Sequence, residues 1–186
     1  MNVYDFDHTI YNGDCTVDFW LYCVTKYPYV LKYFPTACIY GIKFKLNVCN
    51  REKFKEAFYA YLTEIPDIFN EINCFWNSHL RKIKPFYFKQ RRPSDLIISA
   101  SPDFLIDEAC NRLGVHCIAS SVDPYTGHLT GPNCRGREKV IRFQRVFPNG
   151  FIDEFYSDSQ SDIYMAQKAA HAFIIKGANI KPWNLD

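Results

Sequence analysis

The first ten residues, MNVYDFDHTI, restrict the chain more than any other stretch, because they set two carboxylates, Asp5 and Asp7, two positions apart at the end of a short strand. Side chains two apart share a face only while a strand continues. The expected course is that the strand ends near Asp5 and the chain then turns. Both acids then converge at the carboxyl edge of a sheet, where open α/β sheets bind ligands. Two carboxylates with no Lys or Arg beside them repel unless a cation joins them, and a hard divalent ion with oxygen ligands is the natural third party.

The spacing also suits a chemistry. An aspartate can attack phosphorus and carry the phosphoryl group as an acyl phosphate. A second acid can protonate the departing alcohol and then take a proton from water. Asp5 would be the nucleophile and Asp7 the acid and base. The competing reading is structural: a buried strand running into an Asx-type turn, in which Asp and Thr cap loose amides. On these residues alone, both readings stand.

A chain of 186 residues has room for one ordinary domain and a modest insertion. With 48% hydrophobic and 17% aromatic residues it can bury a core, which excludes disorder. A formal net charge of +2 gives no argument for nucleic acid and is compatible with an anionic substrate. The eight cysteines contain no C-x-x-C pair, so no zinc site has spacing in its favour, and free thiols in a reducing compartment are expected. A candidate nucleophile at position 5 leaves no room ahead of it for a cleavable signal peptide, so the expected location is the cytoplasm.

From Asp14 to about Asn47 the chain is apolar and aromatic, but lysines and prolines interrupt it before any run reaches the ~20 residues that span a bilayer. Helices broken at Pro28 and Pro35 are expected. The alternative is an interfacial surface whose aromatics and lysines sit among anionic headgroups. Asn50 is placed to cap a helix through about Leu62, and Pro66 to open another. In that second helix Ile68, Ile72, Phe75, Trp76, His79, Leu80 and Ile83 form a stripe about five turns long, on which His79 reads as a packing residue. The basic cluster Arg81, Lys82, Lys84, Lys89, Arg91 and Arg92 reads as a solvated surface.

Beyond Pro93, Asp95 to Ser99 reads as a buried parallel strand, followed by a helix that opens at Ser101-Pro102 and closes at Gly114. Strands are expected at His116–Ser120, Phe155–Ser157 and Ala172–Ile175, the last of the chain, and helices at Gly136 to about Phe147 and Ser161–Ala170. Tyr125 to His128 reads as a hairpin turn. Strands alternating with helices argue for a parallel sheet covered on both faces.

Three further pieces fall where a strand meets a helix: Ser99, Lys139, and the pair Asp158 and Asp162. Each alone has an ordinary role as cap, solvated cation or dipole partner. Together they supply what phosphoryl transfer needs: a hydroxyl and a cation for phosphate oxygens, and carboxylates for a metal.

In order and spacing, DFDHT at Asp5–Thr9, IISAS at Ile97–Ser101, Lys139, and YSDSQSD at Tyr156–Asp162 resemble the four motifs of the haloacid dehalogenase superfamily, most closely its phosphoserine-phosphatase-like branch. The resemblance covers residues 1 to 10 and roughly 93 to 177 closely. It implies an α/β fold, a Rossmann-like doubly wound parallel sheet, formed by residues 1–11 and 89–186, with an inserted helical cap at 12–88. It implies Mg²⁺ held by Asp5, the Asp7 backbone carbonyl and Asp158, with Asp162 as a further ligand or a support to one. It implies phosphoryl binding by Ser99, Ala100 and Lys139. Halide release needs no proton, so an acid at Asp7 fits an alkoxide leaving group and hence a phosphatase.

Some positions depart from the pattern. His8 replaces a small residue, with its amide expected to face phosphate and its imidazole unexplained. Ser101-Pro102 replaces a Gly-rich turn, and Ser161 stands where many relatives have Asn. Asp14 occupies the place of a substrate-contacting Glu, which makes it the candidate for substrate selection. The expectation is a Mg²⁺-dependent phosphatase for a small phosphorylated metabolite, with no nucleic-acid partner. The alternatives are a lipid-phosphate phosphatase, similar to the phosphatidylglycerophosphatase members of the branch, acting at a membrane surface, and a catalytically silent binding protein with the same fold.

Overall fold

The computed structural model describes residues 1–184. Its centre is a sheet in the order β3-β2-β1-β4-β5-β6, formed by β1 (Val3–Tyr4), β2 (Leu96–Pro102), β3 (His116–Ser120), β4 (Ile152–Ser157), β5 (Ala169–Lys176) and β6 (Asn179–Pro182). Every pairing is parallel except β5 with β6. The first strand in the sequence is therefore a central one, with Val3 between Leu96 and Phe155.

Alternation within these short strands divides the apolar residues between two cores. Val3, Leu96, Ile98 and Phe155 join Phe143 and Met165 on one face of the sheet. Tyr4, Ile97 and Tyr156 face the other way. On that side Tyr4, Tyr156 and Phe173 stack across three strands with centroids 4.9 and 4.8 Å apart. Helices α6 (Asp103–Leu113), α7 (Arg137–Val146) and α8 (Ile163–Ala166) cover the sheet. Gly114, at φ 68°, closes α6 in the left-handed conformation that suits glycine.

The helices between β1 and β2 are α1 (Cys15–Lys26), α2 (Phe34–Lys45), α3 (Arg51–Tyr59), α4 (Ile68–His79) and α5 (Pro85–Gln90). Pro28 opens a 3₁₀ turn and Pro35 lies in the first turn of α2, so the prolines separate helices as expected. Asn50 caps α3 by accepting from the Lys53 amide at 3.0 Å. The expected opening at Pro66 is corrected: Asp67 is the cap, accepting from the Asn70 amide at 3.1 Å, and Pro66 lies ahead of it. The apolar stripe is helical only to His79 and finishes in a 3₁₀ turn at Leu80–Lys82. His79 lies flat on Phe75 at 4.0 Å and contacts its carbonyl, which is a packing role.

Trp76 joins this segment to the sheet side by donating its indole N–H to the Leu105 carbonyl at 2.8 Å. The basic cluster is not simply solvated. Lys82 pairs with Asp18, Lys84 donates to the His8 and Gly177 carbonyls, and Arg91 donates to the Leu113 carbonyl. Unpaired carbonyls at chain turns attract cations that a one-dimensional reading leaves in water.

Two expectations near the C-terminus also change. The helix expected over Ser161–Ala170 is a 3₁₀ turn, Gln160–Asp162, followed by the single turn of α8. Ala169 is drawn into β5, where it pairs with Ile152, because sheet pairing outweighs alanine's helix preference. The strand at Ala172–Ile175 is longer than expected and is followed by β6, an edge strand that ends on Pro182, a position where proline is tolerated.

The hairpin expected at Tyr125–His128 is present as one bridge, Val122 to Leu129. Its Gly127 has φ +74°, and a Cβ there would meet the Tyr59 carbonyl oxygen at 2.6 Å. Gly114, at φ +68°, has nothing within 4 Å of the same point. Gly127→Ala is expected to cost about 1–3 kcal/mol in urea unfolding, and Gly114→Ala about 1 kcal/mol. Equal losses would mean that the hairpin does not bear on α3.

Candidate active site

The site forms where β1 stops. Asp5 extends the pairing by one bond, its amide donating to the Tyr156 carbonyl at 2.8 Å, and the chain then turns with both the Ile10 and Tyr11 amides on the Phe6 carbonyl. His8 adopts φ 56°, a left-handed conformation that histidine enters more readily than most side chains. Its amide donates to the Gly13 carbonyl at 2.8 Å, so it is held within the turn and does not face a phosphate as expected.

Asp7 is held from two directions. One carboxylate oxygen accepts from the Cys15 amide at 2.7 Å and the other from the Ser101 hydroxyl. Burial, followed by the Asp14 charge, pushes its pKa up, while these hydrogen bonds oppose the shift.

Asp5 meets Lys139 at 2.7 Å, and the same ammonium meets Asp162 at 2.6 Å. Lys139 is 1% exposed and Asp162 2%, so this is a buried cation between two carboxylates. Burial alone pushes the Lys139 pKa down, but Asp5 and Asp162 outweigh it and hold the lysine charged. Burial also pushes Asp5 up to about 7, a shift that the Lys139 charge opposes only in part. Asp162 accepts additionally from the Ser157 hydroxyl at 2.9 Å.

Asp158 is anchored by its backbone, whose amide donates to Thr9 Oγ1 at 3.0 Å. Its carboxylate makes no ion pair or hydrogen bond among the described residues. Ser99 Oγ accepts from the Ser101 amide at 3.0 Å, which leaves its own proton to donate. The Ala100 carbonyl accepts from Lys55 and from Ser120. Asp14 caps α1, with one oxygen accepting from the Thr16 and Val17 amides at 2.9 and 3.0 Å.

Asp5, Asp7, Asp14, Ser99, Ala100, Lys139, Asp158 and Asp162 all line one cavity of about 330 Å³. Among the described residues, no group of three or more His, Cys, Asp or Glu side chains is arranged to hold a metal ion. Lys139 occupies the space between two of the candidates. Asp5 Oδ2, which accepts only a long bond from the Thr9 hydroxyl at 3.4 Å, the Asp158 carboxylate and the Asp7 carbonyl make a donor set with no nitrogen or sulfur that fits a small hard cation keeping several waters.

The sequence reading missed Arg51, Lys55 and Arg135, which line the same cavity. Asn50 as a cap, with Arg51 and Lys55 four apart behind it, was the available signal.

A family model described as haloacid dehalogenase-like hydrolase matches residues 3–167. Protein CicA of Caulobacter vibrioides is 34% identical over 77 residues, a match covering 38% of this chain and 35% of CicA. The chain thus matches only about a third of that relative's length. A protein of unknown function from Bordetella pertussis has the same fold, with a TM-score of 0.74 at 16% identity over 92% of this chain and 87% of that one. So does a probable phosphoserine phosphatase from Vibrio cholerae, with a TM-score of 0.62 at 9% identity over 92% of this chain and 55% of that one.

Proposed function

We propose, from the premise that this chain belongs to the haloacid dehalogenase-like hydrolase family, that it is a Mg²⁺-dependent phosphatase that hydrolyses a phosphate monoester through an aspartyl-phosphate. The observation that carries the reading is the buried Lys139 held between Asp5 and Asp162. Its charge favours the ionised form of the nucleophilic carboxylate and holds Asp5 in a cavity whose other acid, Asp7, is pinned separately.

In this mechanism Lys139 holds Asp5 Oδ1, and the other oxygen attacks phosphorus. The bond from phosphorus to the ester oxygen breaks as Asp7 delivers its proton to that oxygen. Asp7, now a carboxylate, takes a proton from water, whose oxygen attacks the phosphorus of the acyl phosphate. Phosphate leaves and Asp5 is restored. Ser99 and Lys139 bind the phosphoryl oxygens, and Asp162 acts by positioning Lys139. The Asp5 and Asp158 carboxylates and the Asp7 carbonyl would hold Mg²⁺, which supplies positive charge against the phosphoryl oxygens. Residues 12–88 serve as a cap over a core of residues 1–11 and 89–186, excluding water and selecting the ester.

The test is phosphate release from a panel of monoesters that includes phosphoserine and lysophospholipid phosphates, with Mg²⁺ and with chelator. Turnover is expected only with the metal. Asp7→Asn is expected to slow an alkyl ester by about 10²–10⁴-fold without moving the melting temperature. Near-normal turnover in that variant removes the general-acid role. No turnover of any ester by the wild type favours the silent binding protein.

One surface favours a second reading, a lipid-phosphate phosphatase. Helix α2 exposes Ile39 and Ile42, followed by Leu46 and Val48, beside Lys43 and Lys45. Apolar side chains beside cations suit an anionic lipid surface. No helix of the described residues is long and apolar enough to cross a membrane. Failure to float with anionic vesicles would exclude this reading.

A further inference from the structure

The cavity has a second charged end that the hydrolysis itself does not use. Arg51 and Lys55 come from α3 and Arg135 from the loop before α7, and Phe54 and Phe58 line the same cavity. Lys55 is half-buried, yet its ammonium donates only to neutral acceptors, the Ala100 carbonyl at 2.5 Å and Asn133 Oδ1 at 2.7 Å. The Arg51 guanidinium lies 4.7 Å from the centre of the Phe44 ring. Neither it nor the Arg135 guanidinium makes a hydrogen bond or an ion pair among the described residues.

The electrostatics agree with the geometry. Burial first, and then the Arg51 charge, push the Lys55 pKa down to about 8. Burial and then Arg135 push Arg51 down, opposed by Glu52 on its own helix. Asp14 and Asp7 act on Lys55, but both carboxylates are already held by amides of α1. Three cations gathered on one cavity destabilise one another unless an anion enters. Asp5 and Asp162 already have their own cation in Lys139.

We propose that this end is a second anion subsite. The substrate carries, besides the phosphoryl group attacked by Asp5, a further oxyanion that the guanidinium groups of Arg51 and Arg135 bind by paired hydrogen bonds, with Lys55 adding charge behind them. The inference rests on the phosphatase reading and adds to it the class of ester: one with an anionic group at each end and an apolar stretch that passes Phe54 and Phe58.

The test compares short linear alkyl monophosphates with α,ω-alkanediol bisphosphates and ω-carboxyalkyl phosphates of matched length. The wild type is expected to prefer an ester with the second anion by about tenfold or more in kcat/KM, mainly through KM. Whether phosphate or carboxylate is preferred identifies the oxyanion. The variant Arg51→Gln/Arg135→Gln is expected to lose most of that preference, and circular dichroism checks its fold, since neither guanidinium makes a hydrogen bond or ion pair among the described residues and only Arg51 rests on a ring, that of Phe44. Calorimetric titration of the Asp5→Asn protein with the bisphosphate and the monophosphate reads the subsite without turnover.

Equal kcat/KM for the paired esters, or a preference that survives in the double variant, overturns the subsite and leaves the phosphatase reading intact. A calorimetric preference for the bisphosphate that depends on both arginines, in a protein that hydrolyses no ester, supports the subsite and overturns the hydrolysis.

Discussion

Asp5→Asn is expected to lower turnover of every phosphate ester by about 10⁴-fold or more, because it removes the attacking oxygen and no other carboxylate lies where it can replace it. The change is isosteric, and Lys139 keeps its 2.6 Å contact with Asp162, so the buried cation retains a partner. Burial raises the Asp5 pKa, which means that folding disfavours its charge. Replacing that charge with an amide is therefore expected to leave the melting temperature unchanged or raised. Quenched turnover followed by mass analysis should find a phosphoryl adduct on the wild-type peptide containing Asp5 and none on the variant. Residual turnover within about tenfold of wild type would show that Asp5 is not the nucleophile.

Lys139→Met is expected to damage stability and activity together. Lys139 lies within 2.7 and 2.6 Å of two buried carboxylates, and an apolar side chain of similar length leaves both uncompensated. Removing one partner of such a buried arrangement costs about 3–5 kcal/mol.

The pH dependence follows from the protons bound. Burial already raises Asp5 in the wild type, and without the opposing Lys139 charge its folded pKa in the metal-free variant rises further above the unfolded value of about 3.9. Between the two values the native state holds more protons than the unfolded chain, and stability falls as pH rises. The variant should lie closest to wild type near pH 4, by the same unfolded reference of about 3.9, and fall behind towards neutrality. Urea unfolding of metal-free protein over that range measures the difference. Adding Asp162→Asn should recover part of the loss, since the three groups act as one unit. Parallel profiles separated by less than about 1 kcal/mol would place Lys139 in an ordinary surface-like pair.

The parts of this site that were legible in the sequence are those governed by neighbours along the chain. A buried parallel strand is a short apolar run, so β1, β2 and β3 were read from their own residues, and Asp5 and Asp158 followed as strand-end positions, whereas Ser99, read as the end of its strand, lies inside β2, which runs on to Pro102. Elements that depend on a partner were not legible. β6 exists because β5 offers it an open edge, and α8 is one turn long because β4 recruits Ala169. Asp67 displaced Pro66 as the start of α4 because a carboxylate can accept from a free amide, which proline's ring cannot do.

The same division runs through the cavity. Arg51 and Lys55 stand four apart on α3, but a helix carries such pairs on its wet faces as often as on its buried ones. Their face is set by the packing of α3 on α2, where Phe54 closes on Gly41 and stacks on Phe44. Local order thus placed an acid at the end of β1, because dihedral preferences and apolar runs act between neighbours. Which cation stands beside that acid depended on folding: Lys139 lies 134 residues from Asp5, and only the parallel pairing of β1 with β4, and the packing of α7 against that sheet, bring the two together. Contacts at that separation arise from the burial of shared apolar faces, which no single segment of the chain contains.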